Sequence, residues 1–353
     1  MSQWRRGSWV GRRLVAGLLL AALAVLLYFT PTGYMIVLPG VTKPTADLVT
    51  AQGGRKPTGG RFLLVTVSTQ VANPYIYVFG KVWPGADLEP LPPDPTTMEK
   101  EGQQQMSSSQ ALAAVVAEKA LGLPAHVTGT GAKVVGIIKG GPADGVLQVG
   151  DVVTGVAGHE IQFQDQLRDV TGRLAIGKPV QVTVRRGGQT LNLTLTTVPH
   201  PSRPGRAAFL IDIDDDSMAY DTPVPVRIDA GDIIGPSAGL MFTLEVYNQL
   251  SGGEDLTRGR VVAGTGTILP DGRVGPIGGI EQKVVTAERS GATIFFAPLD
   301  DAEAARRVAR KVSVVPVGHL QDAIDYLRAL PPPPVAFSPP PQSFLDKRNL
   351  LSV

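Results

Sequence analysis

An α+β multidomain chain behind a single N-terminal transmembrane helix is what this sequence predicts, on three observations. Residues 14–29, LVAGLLLAALAVLLYF, form an uncharged apolar run preceded by Arg5, Arg6, Arg12 and Arg13. Residues 121–200 alternate short apolar strands with glycine turns, as a small β-rich domain does. Residues 201–330 alternate strand-like and helix-like stretches, as an α/β unit does. The remaining segments are the N-terminus and anchor at 1–40, a β segment and helix at 41–120, and a tail at 331–353.

Composition narrows the function classes. The 353 residues allow two or three domains, and a hydrophobic fraction of 43% supports real cores. Net charge is +2 with no long basic run, so the electrostatic footprint of a nucleic-acid binder is missing. There is no cysteine, which excludes disulfides, thiol nucleophiles and cysteine-ligated metals.

The apolar run of sixteen residues reaches about 24 Å as a helix, and apolar residues resume at Tyr34-Met35-Ile36-Val37-Leu38. It ends in Leu-Leu-Tyr-Phe-Thr-Pro, a poor cleavage site, so it reads as an uncleaved anchor and not a removed signal. The four arginines hold the N-terminus in the cytoplasm, which places the rest of this single-pass chain outside the cell membrane.

After the anchor, residues 62–67 and 75–79 are rich in β-branched and aromatic side chains and read as strands. Residues 84–95 are a proline-rich connection. From 98 to 121, Ala111, Leu112, Val115, Val116 and Ala120 recur at helical spacing until Gly122 stops the helix.

The next unit carries Gly140-Gly141-Pro142-Ala143, then Leu147-x-x-Gly150-Asp151-Val152-Val153. A helix follows at 163–174, and two strands, 180–185 and 190–196, flank the turn at Arg186-Gly187-Gly188. The order and motifs resemble a PDZ domain of the bacterial kind. Such domains bind an extended peptide as an added strand and hold its C-terminal carboxylate on a Φ-G-Φ loop. Leu121-Gly122-Leu123 is the candidate loop; the alternative is that Gly122 only ends a helix.

In the last unit, strands near 209–213 and 224–228 lead to a helix at 238–250. A strand at 260–267, a helix at 281–290 and a strand at 293–297 follow, then helix, strand and helix to 330. Seven prolines fall within residues 331–341, so the tail reads as extended and disordered.

Three tempting motifs fail. Residues 172–178 have Walker A spacing, but Pro179 stands where a hydroxyl must hold magnesium. His159-Glu160 opens an H-E-x-x-H whose second histidine is Phe163. Asp212, Asp214 and Asp216 start like a calcium loop, but Ser217 and Pro223 stand where glycine and glutamate belong. No metal, nucleotide or other cofactor is expected.

One motif does not fail. Gly235-Pro236-Ser237-Ala238-Gly239 has the G-x-S-x-G form of a nucleophile elbow. Ser237 has three readings: a packed helix-start residue, a hydrolase nucleophile served by His319 with Asp300 or Asp301, or a nucleophile served by lysine. The second is weakened by the loop at Ala230-Gly231-Asp232, where an elbow wants a strand. For the third, burial disfavours a charged amine and can lower its pKa by several units, so a buried lysine can act as base in a Ser-Lys pair. Lys283 is one step from Ile280 and Val284, which with Ala287 form an apolar helix face.

The two motifs together, with Ala263-Gly264-Thr265-Gly266, Asp271-Gly272-x-Val274 and Pro276-Ile277-Gly278-Gly279, resemble the proteolytic domain of the Lon protease family. That resemblance implies a Ser-Lys dyad, which transfers to Ser237 and Lys283, and a supporting threonine, which falls on Thr265. Family sites usually carry an aspartate three residues before the serine; this chain has Ile234 there. The chain is similar to membrane-anchored, PDZ-containing Lon-like proteins without a AAA+ ATPase, and the resemblance implies a homo-oligomeric ring. The expected function is an ATP-independent serine endopeptidase acting on unfolded or membrane-associated extracytoplasmic proteins chosen by the PDZ groove. The competing class is a surface PDZ scaffold with a degenerate protease domain. The sequence leaves open whether the strands near 62–79 belong to the protease fold.

Overall fold

The computed structural model describes residues 4–56, 59–92 and 94–332. Helix α1 (Trp4–Phe29) contains Arg12–Phe29, the one helical stretch among the described residues long and apolar enough to cross a membrane. It leads into β1 (Tyr34–Pro44), α2 (Thr45–Leu48), β2 (Val49–Ala51), β3 (Arg61–Val71), α3 (Pro74–Val82), β4 (Asp87–Pro90) and α4 (Pro95–Ala120). The β-rich unit follows as β5 (His126–Gly129), β6 (Ala132–Ile137), β7 (Val152–Val156), β8 (His159–Glu160), α5 (Gln164–Arg173), β9 (Pro179–Arg186) and β10 (Gln189–Thr196). Then come β11 (Val198–Pro199), β12 (Ala207–Ala208), β13 (Ile211–Asp215), β14 (Met218–Asp221) and β15 (Val226–Ile228). The last stretch comprises α6 (Gly239–Leu250), β16 (Val261–Gly264), β17 (Thr267–Ile268), β18 (Val274–Gly275), α7 (Ile280–Arg289), β19 (Ile294–Pro298), α8 (Ala302–Val308), β20 (Ser313–Val317) and α9 (Leu320–Ala329). From residue 333 on, the expected proline-rich tail lies outside the described residues.

One sheet, ordered β20-β19-β16-β3-β1-β4, joins the two ends of the chain. Strand β3 runs parallel to β16, with Phe62 opposite Val262 and Leu64 opposite Gly264. The early strands therefore share the sheet of the last unit, and the β-rich unit is an insertion between its halves. Successive side chains of a strand point to opposite faces, and β3 uses both. Phe62 and Leu64 pack with α4, α6 and α9, whereas Leu63 and Val65 pack with α7 and α8. A sheet covered on both faces explains why its central strands read as continuous apolar runs.

The expected strand at 75–79 is instead helix α3. The Asn73 carboxamide oxygen accepts the Ile76 N–H at 3.0 Å, and Pro74 occupies the first turn. Asparagine at the cap and proline just inside favour a helix start, and they override the β-like composition.

The inserted sheet is ordered β10-β9-β7-β6-β13, with α5 beside it. Its last strand corrects a second expectation. The sequence places residues 209–213 in the final unit, yet β13 pairs antiparallel with β6, Ile211 opposite Ile137 and Asp215 opposite Ala132. Ile211 and Ile213 are the apolar alternation of a half-buried strand, and they pack on the core of this sheet together with buried Phe209. The same ribbon continues as β14 against β5. Arg273, between β17 and β18, ties the two units together through Asp165 at 2.5 Å and Asp169 at 2.6 Å on α5.

Candidate active site

Ser237 lies on a single 3-10 turn, Pro236–Ala238, that feeds directly into α6. The approach is tight. A Cβ at Gly239 would sit 2.9 Å from both the Ile268 backbone nitrogen and Ser109 Oγ, so only glycine lets the turn meet β17 and α4. The second glycine of the motif is thus a packing requirement. From α4, Ser109 Oγ donates to the Pro236 carbonyl at 3.2 Å.

Helix α7 supplies the lysine. Ile280, Val284 and Ala287 pack into the sheet face as the helical spacing predicts, and Lys283 enters with them at 3% exposure. Its Nζ is 3.0 Å from Ser237 Oγ and 3.3 Å from Thr265 Oγ1. Thr265 Oγ1 donates to the Ser237 carbonyl at 3.0 Å, and the Gly266 N–H donates to the same oxygen at 2.9 Å. The Leu240 N–H returns to the Gly266 carbonyl at 3.0 Å, fixing the serine turn to the β16–β17 connection. All three residues singled out by sequence, Ser237, Lys283 and Thr265, meet at one point although 46 residues separate the serine from the lysine.

Burial lowers the Lys283 pKa from its ordinary 10.5 to about 8, with the negative charge of Asp301 opposing the fall. Asp301 is itself anchored, its Oδ2 accepting the Ile277 N–H at 2.9 Å in the loop before α7. By sequence, Asp301 stands out only as a partner for His319. That histidine caps α9, where the Asp322 carboxylate accepts the Gly318 and His319 N–H groups. Ile234, in the position where the family resemblance leads one to expect aspartate, lies against α4 at Gly102, 43% exposed.

The expected carboxylate loop at Leu121-Gly122-Leu123 is corrected. The Leu121 N–H donates to Ala117, the Gly122 N–H to Lys119 and the Leu123 N–H to Glu118, all carbonyls of α4. Gly122 has φ +78, the left-handed turn that ends a helix. These amides are spent on capping. A different segment has the form of such a loop: Phe209-Leu210-Ile211, entering edge strand β13, with Leu210 at φ +57 where a Φ-G-Φ loop puts glycine.

The failed motifs stay apart from this chemistry. Gly172 lies at the end of α5 against the Arg206 guanidinium. His159 is exposed on β8, and Asp216 pairs with Arg185 at 2.7 Å. Among the described residues no group of three or more metal-ligating side chains is assembled.

Comparison with known proteins finds two matching families, whose bounds do not follow the sheets, since the second match begins at residue 211 and takes in β13. Residues 105–197 match the family of PDZ domains, starting inside α4, and residues 211–328 match the Lon protease (S16) C-terminal proteolytic domain. A Lon protease of Heliobacterium modesticaldum is 33% identical over 134 residues, 36% of this chain and 16% of that protein. A Lon protease of Brucella suis biovar 1 is 27% identical over 209 residues, 56% of this chain and 24% of that protein. One from Frankia alni is 39% identical over 103 residues, 27% and 11% of the two chains. The chain thus spans less than a quarter of the length of each. Among solved structures, the PDZ domain of an SdrC-like protein from Listeria monocytogenes is 19% identical with a TM-score of 0.23, covering 24% of this chain and 87% of that one. One chain thus matches two families, PDZ domains over residues 105–197 and the Lon protease (S16) C-terminal proteolytic domain over residues 211–328.

Proposed function

We propose that this chain is a serine endopeptidase in which Ser237 is the nucleophile, Lys283 the general base and Thr265 the residue that orients the lysine. The observation that carries it is the 3.0 Å approach of Nζ of Lys283, a residue only 3% exposed, to Ser237 Oγ. Because Thr265 gives its only hydroxyl proton to the Ser237 carbonyl, its lone pair faces Lys283 and accepts an N–H. The lone pair of the neutral amine is then free to face Ser237 Oγ.

The reaction follows from this arrangement. Lys283 takes the Ser237 proton as Oγ bonds to the substrate carbonyl carbon, giving a tetrahedral oxyanion. Backbone N–H groups at the start of the turn into α6 stabilise that charge. The lysine passes its proton to the departing amine as the C–N bond breaks, leaving an ester on Ser237. Water attacks the ester, its proton goes to Lys283 and then back to Ser237 Oγ, and the acid product leaves.

Around this core we place a single-pass membrane protein held by α1, with its N-terminus cytoplasmic and its catalytic unit outside. The PDZ unit selects unfolded or membrane-associated substrates by pairing a peptide with the β13 edge beside α5, its carboxylate on the loop at 208–211. Cleavage runs without ATP, and the copies assemble as a ring, as the Lon resemblance implies. The test is peptidase assay of Ser237→Ala, Lys283→Ala and the double variant. Each single change should abolish turnover without unfolding, and the double change should be no worse, because residues acting as a unit are non-additive. Near-normal turnover in Lys283→Ala sinks the proposal.

A further inference from the structure

Helix α3 carries an apolar stripe that the fold does not cover. Tyr75, Val78, Phe79 and Val82 recur at helical spacing and share one face. They are 46%, 62%, 47% and 74% exposed. The opposite side docks the helix: a Cβ at Gly80 would lie 3.0 Å from Leu88 Cδ2 and 3.2 Å from Ile36 Cδ1, on β4 and β1. A soluble surface helix turns its apolar face inward, and this one turns it out.

The position of the stripe says what covers it. Asn73 Nδ2 donates to the Tyr28 carbonyl at 3.1 Å, and the Tyr75 hydroxyl donates to the Ala24 carbonyl at 3.0 Å. Ala24 lies within the apolar segment Arg12–Phe29, about 7.5 Å along the axis from its last residue at 1.5 Å per residue. Interfacial helices bury their apolar face about 5–10 Å into the headgroup and acyl boundary, so the first turn of α3 is level with that depth.

We propose that α3 is an interfacial helix, its Tyr75–Val78–Phe79–Val82 face immersed in the lipid of the bilayer that α1 spans. The inference rests on reading α1 as a membrane span. Residues around the stripe suit an interface, where aromatic rings and snorkelling lysines anchor. Phe79 and Trp83 have ring centroids 5.1 Å apart, Tyr34 and Tyr77 also 5.1 Å, and Lys81 Nζ lies 5.6 Å from the Tyr77 ring centroid. Since α3 is docked on β1 and β4 of the catalytic sheet, the membrane would hold that sheet at two points and fix its tilt. A single tether would let it swivel.

The absence of cysteine makes the test direct. Full-length protein in phosphatidylcholine vesicles carries one spin label, at Val78→Cys, Val82→Cys, Leu20→Cys in the span or Val149→Cys on the inserted unit. Collisions with oxygen report lipid, and collisions with a water-soluble nickel chelate report solvent. Labels at 78 and 82 should match the one at 20, oxygen-accessible with several-fold loss of nickel contact relative to 149. Labels at 78 and 82 matching 149, while 20 reads lipid, overturn the inference and leave the span intact. A label at 20 that reads solvent overturns the span reading and this inference with it. Labels shielded from both reagents, with spin–spin broadening, mean that a second copy covers the stripe, and they overturn it too.

Discussion

The sharpest consequence of the site is its pH dependence. The base must be neutral to accept the Ser237 proton, and Lys283 titrates at about 8 because it is buried. With that pKa, about 1% of the amine is neutral at pH 6 and about 90% at pH 9. The value of kcat/KM on an unstructured peptide should therefore rise roughly ninety-fold between those limits, tenfold per pH unit at the acid end, and flatten above about 8.5. Asp301→Asn refines the test. The amide oxygen can still accept the Ile277 N–H, but the charge that favours protonated Lys283 is gone. The inflection should move to lower pH with the plateau rate little changed. The assay is a fluorogenic-peptide titration from pH 5.5 to 10 in buffers of constant ionic strength. An inflection in the imidazole range, about 6.5, or one that Asp301→Asn moves upward, refutes lysine as the base.

Further outcomes follow from burial and packing. Lys283→Met should abolish activity yet raise stability by up to about 3 kcal/mol at pH 7, the cost of holding the pKa near 8 instead of 10.5, read as a higher denaturant midpoint. The sign is that of a lowered lysine pKa: the unfolded chain binds the extra proton, so wild-type stability should climb as pH rises from about 8 to 10.5. Gly239→Ala should destabilise by about 1–3 kcal/mol and reduce turnover, since its Cβ meets backbone at 2.9 Å beside Ser237; unchanged melting and rate would contradict the close approach. Excising residues 121–198 should leave β13 unpaired with Phe209, Ile211 and Ile213 exposed, and the product should aggregate. Replacing 122–223 with a short linker should fold and keep short-peptide cleavage while losing capture of protein substrates. Its ends already lie together, the Val224 N–H being 3.4 Å from Glu118 Oε2. Aggregation of the second variant, measured by size exclusion, counts against the inserted-unit topology.

Local features of the chain were legible wherever period and punctuation agree. The apolar run at 14–29, the helix ending at Gly122, the glycine-turned strands of the PDZ unit, and the Ile280–Val284–Ala287 face were all readable from spacing alone. The pairing of Ser237 with Lys283 was not: spacing left three readings of the serine open, and only the resemblance of the two separated motifs to the Lon proteolytic domain implied the dyad. Where two local signals conflicted, composition misled. The stretch Tyr75-Ile76-Tyr77-Val78-Phe79 looks like a strand, and the Asn73-Pro74 cap decides for a helix because it satisfies an N–H that a strand would have to pair elsewhere.

What the sequence could not determine is whatever depends on which strand lies beside which. Nothing in residues 61–71 says that they pair with 261–264, since backbone hydrogen bonds carry no residue code and a 190-residue gap leaves no local trace. The placement of Ile211 and Ile213 against β6, the spending of the 121–123 amides on α4, and the left-handed backbone of Leu210 are decided by the folded structure. So is the acidity of the amine. The residues named a serine and a lysine; only the assembled sheet, by burying Lys283 to 3% exposure with Nζ 3.0 Å from Ser237 Oγ, turns a surface-type cation into a base near neutral pH.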